Sequence, residues 1–263
     1  MLVFDEAEVS EVEDKNTTVD GVRAIEIRYR SIFRTDTRGT AFFQSRMRLN
    51  GPNMGVLLPE RFLPVLERSD RCAQIFLLSL LQIIKAAEKF TERELDFDWI
   101  SAVMPLRIFF SKNCVEIITD FMRKINASPD RICFEIPAQV VDERSGQKTM
   151  QELRKAGFHT MLSGIGAERF PMYKLAELEP EYVVINQNST RMLGTNELTD
   201  TCVKSLISFI NSIGAEAIAA GIASADTIDK LYDFDCPYYT ADEHLGDNSG
   251  SFILERYVRR KGK

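Results

Sequence analysis

Beyond residue 105 the chain alternates short apolar runs with amphipathic stretches, and this alternation restricts the fold more than any other property of the sequence. The spacing predicts strand Leu106 to Phe110 before helix Asn113 to Ile125, strand Arg131 to Ile136 before helix Lys148 to Ala156, and strand Phe158 to Leu162 before helix Pro171 to Glu177. It then predicts strand Tyr182 to Asn186 before helix Asp200 to Ile213, strand Glu216 to Ala219 before helix Ala225 to Phe234, and a last short strand near Tyr238. Within 200–213, Val203, Leu206, Ile207 and Ile210 recur at the spacing of one helix face, so that face is buried. Strand–helix units repeated this way demand right-handed crossovers and a parallel sheet.

The first hundred residues depart from that rhythm. Two β-rich runs, 22–35 and 39–49, are joined around Asp36 to Gly39, a hairpin signal, so at least one strand runs antiparallel. Pro59 to Glu67 reads as a short helix with proline at its start, and Cys72 to Phe90 as a long apolar one. Its core, Ile75 to Ile84, contains Ser79 and Gln82 and is too short to span a bilayer. About eight strands with covering helices favour a closed TIM-like (β/α)8 barrel with one antiparallel strand from the N-terminal hairpin. Residues 1–20, acidic and without period, read as a linker or the end of a preceding domain, and 21–263 as the barrel domain.

Length and composition fit that reading. The 263 residues are 44% hydrophobic and 27% charged, enough for one substantial core. A net charge of −6 argues against nucleic-acid polymers and membrane surfaces as partners, with Arg256 to Lys263 the local exception, read as a solvated helix end. Five cysteines (Cys72, Cys114, Cys133, Cys202, Cys236) lack CxxC spacing and read as buried reduced thiols, which fits a cytoplasmic protein. Neither His159 nor His244 sits in a triad or metal motif. Gly51, Gly55 and Gly166 belong to no phosphate-loop pattern and read as turn residues. Tyr238 and Tyr239 read as core, with stacking on a base or capping of a cavity as the alternative.

The segment 157–168, GFHTMLSGIGAE, marks the candidate site. An apolar strand runs into a Gly-containing loop over Ser163, Gly164, Ile165 and Gly166. In parallel α/β folds catalytic groups stand at the carboxyl ends of strands. Here that place carries a hydroxyl and a hydrogen atom.

The order of landmarks resembles the EAL domain, the cyclic di-GMP phosphodiesterase family of bacterial signalling, over roughly residues 22–250. QSRMRLNGPNMGVLLPERFLPVLE matches the family's opening EALLRW and G-x-x-x-P-x-x-F-I-P stretches through Arg48, Pro52, Gly55, Pro59, Phe62 and Pro64. RIFFS matches V-N-L-S through Ser111, CFEIPAQ matches L-E-x-T-E through Glu135, and GFHTMLSGIGAE matches the D-D-F-G-T-G stretch through Gly157 and Gly166. EYVVINQNSTRM matches L-K-I-D through Ile185, IGAEAIAAGIASADTIDKL matches the A-E-G-V-E stretch through Gly214, Ala219 and Gly221, and Cys236 precedes the place of Q-G-Y.

The resemblance implies two divalent cations, Mg or Mn, about 3.5–4 Å apart, activating water against a phosphodiester. Carried over residue by residue, it also implies that most of their ligands are replaced. The glutamate of EAL is Gln44, the asparagine of V-N-L-S is Phe109, and the paired aspartates are Ser163 and Gly164. The lysine and aspartate of L-K-I-D are Val184 and Asn186, the glutamates of A-E-G-V-E are Ala220 and Ala223, the second glutamate of E-x-T-E is Ala138, and the glutamine of Q-G-Y is Thr240. Glu135 alone is kept among the metal ligands. Phe109 and Val184 are expected to bring apolar volume to the cavity floor. Arg48 is expected either to contact a ligand phosphate or to form an ion pair at the barrel mouth with Glu135. Losing one essential group of a catalytic unit costs about 10³–10⁶ in rate, so no cation cofactor and no hydrolysis are expected.

What remains is a regulatory module acting through a protein partner or a sister signalling domain. The alternative is a receptor that binds cyclic di-GMP without cleaving it, and the missing ligand set makes that binding weak or absent. The acidic start, MLVFDEAEVSEVEDK, is similar to the link that follows a GGDEF domain in tandem proteins, and the family's habit of pairing through barrel helices implies a homodimer as one option.

Overall fold

The computed structural model describes residues 18–19, 22–51, 55–138, 145–166, 172–241 and 247–254. The expected linker lies outside these apart from residues 18–19, as do His244 and the basic tail. Strands β1 (Thr18–Val19) and β2 (Val22–Arg23) form a small antiparallel pair before the barrel. β3 (Ile25–Arg34) and β4 (Thr40–Gly51) form the predicted hairpin, and β5 (Gly55–Leu57) pairs with the far end of β4. There follow β6 (Ile100–Val103), β7 (Ile132–Pro137), β8 (His159–Ile165), β9 (Tyr182–Ile185), β10 (Glu216–Ile222) and β11 (Tyr238–Ala241).

The neighbour order β3-β11-β10-β9-β8-β7-β6-β4 is closed by the β3–β4 pair, giving an eight-stranded α/β barrel with β5 as an extra strand. β3 runs antiparallel to both neighbours, and the other seven run parallel. Helices Cys114–Lys124, Ser145–Lys155, Tyr173–Leu178, Glu197–Ser212 and Ala225–Asp233 connect the parallel strands as the alternation predicts.

Two apolar zones follow from the two-residue period of a strand. Outward residues such as Phe43, Ile100, Phe134 and Ile185 pack under the helices. Helix Cys72–Glu92 brings Phe76, Leu80, Ile83, Ala87 and Phe90 on one face to that layer. Inward residues Ile32, Phe42, Trp99, Cys133, Met161, Val184, Ile218 and Tyr238 fill the barrel. At its amino-terminal end Phe42 stacks on Trp99 (4.0 Å, 6°), while Tyr238 and Tyr182 meet Phe42 edge-on at 4.7 and 5.2 Å. The barrel is thereby plugged at one end, and any site must open at the other.

Three expectations need correction here. Leu106–Phe109 is a helical turn, and the strand lies before it at Ile100–Val103. Pro105 at the helix N-cap (φ −59) cannot donate to a ladder, so the apolar run that follows winds up. The strand expected over 158–162 is β8, which continues through Ser163 and Gly164 to Ile165, with a register shift between Leu162 and Ile165 that Gly164 absorbs at φ +92. Four cysteines are buried as expected, but Cys202 is exposed.

Candidate functional site

The open end of the barrel gathers the carboxyl ends of the parallel strands and the first half of β3. Parity sets the inward side chains. Because Phe42 points inward, so do Gln44 and Arg46 on β4, and because Cys133 does, so does Glu135 on β7. Glu135 is buried, and its carboxylate accepts from Gln44 Nε2 at 2.9 Å, from Arg46 Nη1 at 3.2 and 3.4 Å, and from Ser101 Oγ at 3.5 Å. Both carboxylate oxygens are engaged.

Arg46, two residues from Gln44 and therefore on the same strand face, is the functional neighbour that sequence reasoning passed over. The expected Arg48–Glu135 pair is not formed. Arg48 Nη2 lies 3.5 Å from Asp247, whose Oδ1 also accepts from Arg30 Nε (3.1 Å) and Nη2 (2.9 Å). The reason is reach: at a rise of about 3.3 Å per residue, Arg48 stands a further pleat above the buried carboxylate. Arg28 pairs with Glu26 at 2.6 Å on the same rim. The Nε atoms of Arg28 and Arg48 are buried and without a hydrogen-bond partner among the described residues.

The other predicted positions fall as follows. Ser163 lines the same pocket as Arg46 and Glu135, half-buried, and Gly164 follows it in the bulge. Val184 is in the barrel interior with Met161 and Ile218 and does not line the pocket of Arg46 and Glu135. Asn186 caps helix Gln187–Thr190, its Oδ1 accepting from Asn188 N at 2.9 Å. The carbonyl of Ala220 accepts from the Thr190 hydroxyl. Thr240 is buried, and its Oγ1 accepts from Gly221 N at 3.3 Å. Phe109 does not reach the cavity. It lies in the helical turn, fully buried in the outer layer against Phe110 (5.2 Å, edge-on). The apolar residue at the end of the strand beside Glu135 is Val103, its registered partner.

A cavity of about 170 Å³ extends from Arg46, Glu135 and Ser163 outward beneath helix Pro59–Leu66. It opens where β4 and β6 part. Their ladder holds the single pair Phe43↔Ile100, and above it Ser45 N donates to the hydroxyl of Ser101 (3.1 Å) instead of to a strand carbonyl.

The residues do not fit two divalent cations. Hard cations need several anionic oxygens. Among the described residues no group of three His, Cys, Asp or Glu side chains is placed to hold a metal ion. Among the described residues Glu135 is the one carboxylate at the inner strand ends, and its neighbour is a guanidinium, which repels a cation. At the plugged end, His159 Nδ1 sits 2.6 Å from Glu181 Oε2, and that hydrogen bond raises the imidazole pKa above its ordinary value. Burial pushes the Cys114 and Cys236 thiols up to about 12, so neither is a nucleophile.

Comparisons with known proteins agree with the fold. The family model described as the EAL domain matches residues 21–240. An uncharacterized protein of Mycobacterium tuberculosis is 23% identical over 205 residues, 73% of this chain and 32% of that protein. Cyclic di-GMP phosphodiesterase PdeB of Shewanella oneidensis is 26% identical over 123 residues, 46% of this chain and 14% of the relative. The chain thus spans about a third or less of the length of these curated relatives. Among solved structures, the FimX EAL domain from Pseudomonas aeruginosa bound to c-di-GMP has a TM-score of 0.75 at 14% identity, covering 92% of this chain and 95% of that one. An EAL domain protein from Listeria monocytogenes has a TM-score of 0.74 at 15% identity, covering 98% and 99%. At those identities the likeness establishes the fold.

Proposed function

We propose, from the premise that this chain belongs to the EAL domain family, that it is a regulatory module of cyclic di-GMP signalling which does not hydrolyse the nucleotide and works through protein contacts. The observation that carries this reading is the state of Glu135. Its two oxygens are taken by Arg46 and Gln44, and the strand ends around it present Val103, Ser163, Gly164 and Ala220 in place of further carboxylates. A buried carboxylate neutralised by a guanidinium contributes a structural ion pair, and the adjacent positive charge opposes a cation at the same oxygens. The partner is a protein or a sister signalling domain, in the cytoplasm. The greater length of the curated relatives supports a module of this kind.

A second reading, a receptor that binds cyclic di-GMP intact, is favoured by the arginine rim. Arg28, Arg30, Arg46 and Arg48 face three carboxylates, those of Glu26, Glu135 and Asp247, and the Nε donors of Arg28 and Arg48 have no partner among the described residues. One experiment separates the readings. Cyclic di-GMP is incubated with the protein in Mg or Mn buffer for turnover, then titrated calorimetrically. The expected result is no linear product and no saturable heat. Turnover abolished by a chelator would overturn the first reading. Low-micromolar binding lost in Arg48→Ala would put the receptor in its place.

A further inference from the structure

The cavity between β4 and β6 carries an inference of its own. Its walls are Ile27 and Met47 from the hairpin, Phe62 and Leu66 from helix Pro59–Leu66, and Phe76 and Ile83 from helix Cys72–Glu92. Its inner end is polar, with the Arg46–Glu135 pair and the Ser163 hydroxyl. We propose that this cavity is a binding site for a compact neutral aromatic or branched aliphatic molecule with one hydrogen-bonding group, that group seated on Ser163 and the apolar body between the hairpin and the two helices.

Size, charge and an unused polar group each narrow the occupant. A volume of about 170 Å³ is far below the roughly 300–1,000 Å³ that drug-sized ligands require, so a dinucleotide is excluded from it. It does suit a single ring, because an apolar cavity of about 150 Å³ takes up benzene. Arg46 and Glu135 already neutralise each other at the inner end, and a charged ligand there would be buried without a counter-ion. A neutral ligand avoids that cost. The Ser163 hydroxyl forms no hydrogen bond to a described residue, whereas Ser79, also in the wall, is spent on the carbonyl of Phe76 at 2.7 Å. One polar group on the ligand therefore has one partner waiting. A ring in this space gains dispersion contacts with the apolar walls.

This site does not rest on the loss of hydrolysis, and its failure leaves the reading of the barrel mouth untouched. The test uses the whole chain with labelled Ile, Leu and Val methyls, titrated with indole and with phenol. The expected result is saturable shifts of the Ile27, Leu66, Ile83 and Val103 methyls, together with a raised melting temperature. Glycerol, polar but without an apolar body, should produce neither. Ser163→Ala should weaken binding of both probes about fivefold, the effect of one neutral hydrogen bond. Val103→Phe should fill the cavity and abolish the shifts. Absence of methyl shifts with both probes near their solubility limits would overturn the proposal, as would full binding by a folded Val103→Phe protein. If that variant does not fold, the wild-type methyl map and Ser163→Ala decide the question.

Discussion

Replacing Arg46 with methionine tests what the carboxylate at the barrel mouth is for. The Glu135 side chain is 4% exposed and that of Arg46 26% exposed, so water screens the pair from one side only. Removing one member of a fully buried pair costs about 3–5 kcal/mol, because the remaining charge is left without compensation. Here Gln44 still donates at 2.9 Å, and solvent gains access through the space that the guanidinium vacates. The expected loss is therefore smaller, about 2–3 kcal/mol, or about 4–12 °C in melting temperature for a chain of this size. Urea unfolding at neutral pH, followed by two probes to establish a single transition, measures it. A second arm sharpens the reasoning. Arg46→Met combined with Glu135→Gln removes both charges, keeps an amide oxygen to accept from Gln44 Nε2, and should recover most of the loss. Manganese should not stabilise the single variant, because one carboxylate and an amide do not make a cation site. A loss under about 0.5 kcal/mol, the level of an ordinary surface change, would refute the argument. So would a double variant no more stable than the single one.

Other outcomes follow from the same geometry. Gly221→Ala should destabilise by about 2–4 kcal/mol in urea titration, since its φ is +75 and a Cβ would stand 2.7 Å from Gln187 Cβ. Gly164→Ala, at φ +92 but with open space around it, should cost less, about 1–2 kcal/mol. The His159–Glu181 hydrogen bond holds the folded imidazole pKa above its ordinary 6.5, so its stabilisation is complete below that pH and is lost as pH rises through the raised value. Unfolding titrations on either side of neutrality should show that decline, and His159→Gln should flatten it. Under native conditions a thiol reagent should label Cys202 alone among the five cysteines, with the rest reacting only in denaturant, as peptide mapping would reveal.

Much of the barrel was legible because strand and helix periods alternate cleanly after residue 113. The error over 106–110 has a local cause. Leu106, Ile108 and Phe109 are as apolar as a strand, and a run that short carries no period able to separate the two states. The strand beside it, Ile100–Val103, stood after DFDW, where acidic residues at the barrel's plugged end masked its start. Of the candidate site, the partnering of Gln44 and Glu135 could be anticipated from the strand ends. Arg46 was equally available, two residues along from Gln44, and parity alone would have found it. The Arg48–Asp247 contact was not available, because it joins residues 199 positions apart and Asp247 belongs to no motif. Gly164 illustrates a related limit: a glycine after a strand reads as a loop, whereas its left-handed φ here lets the strand bulge and continue.

The reversed direction of β3 has a mechanical meaning. In an all-parallel barrel the polypeptide enters at the floor, the full height of the sheet away from the mouth. Here Ile25 is at the rim and Arg34 at the floor, so the backbone comes in beside Arg28 and Arg30, which grip Glu26 and Asp247. A pull or twist applied upstream of residue 25 is delivered straight to the charged rim, with no lever arm through the barrel. Force of that kind would reach the arginine contacts before the aromatic plug.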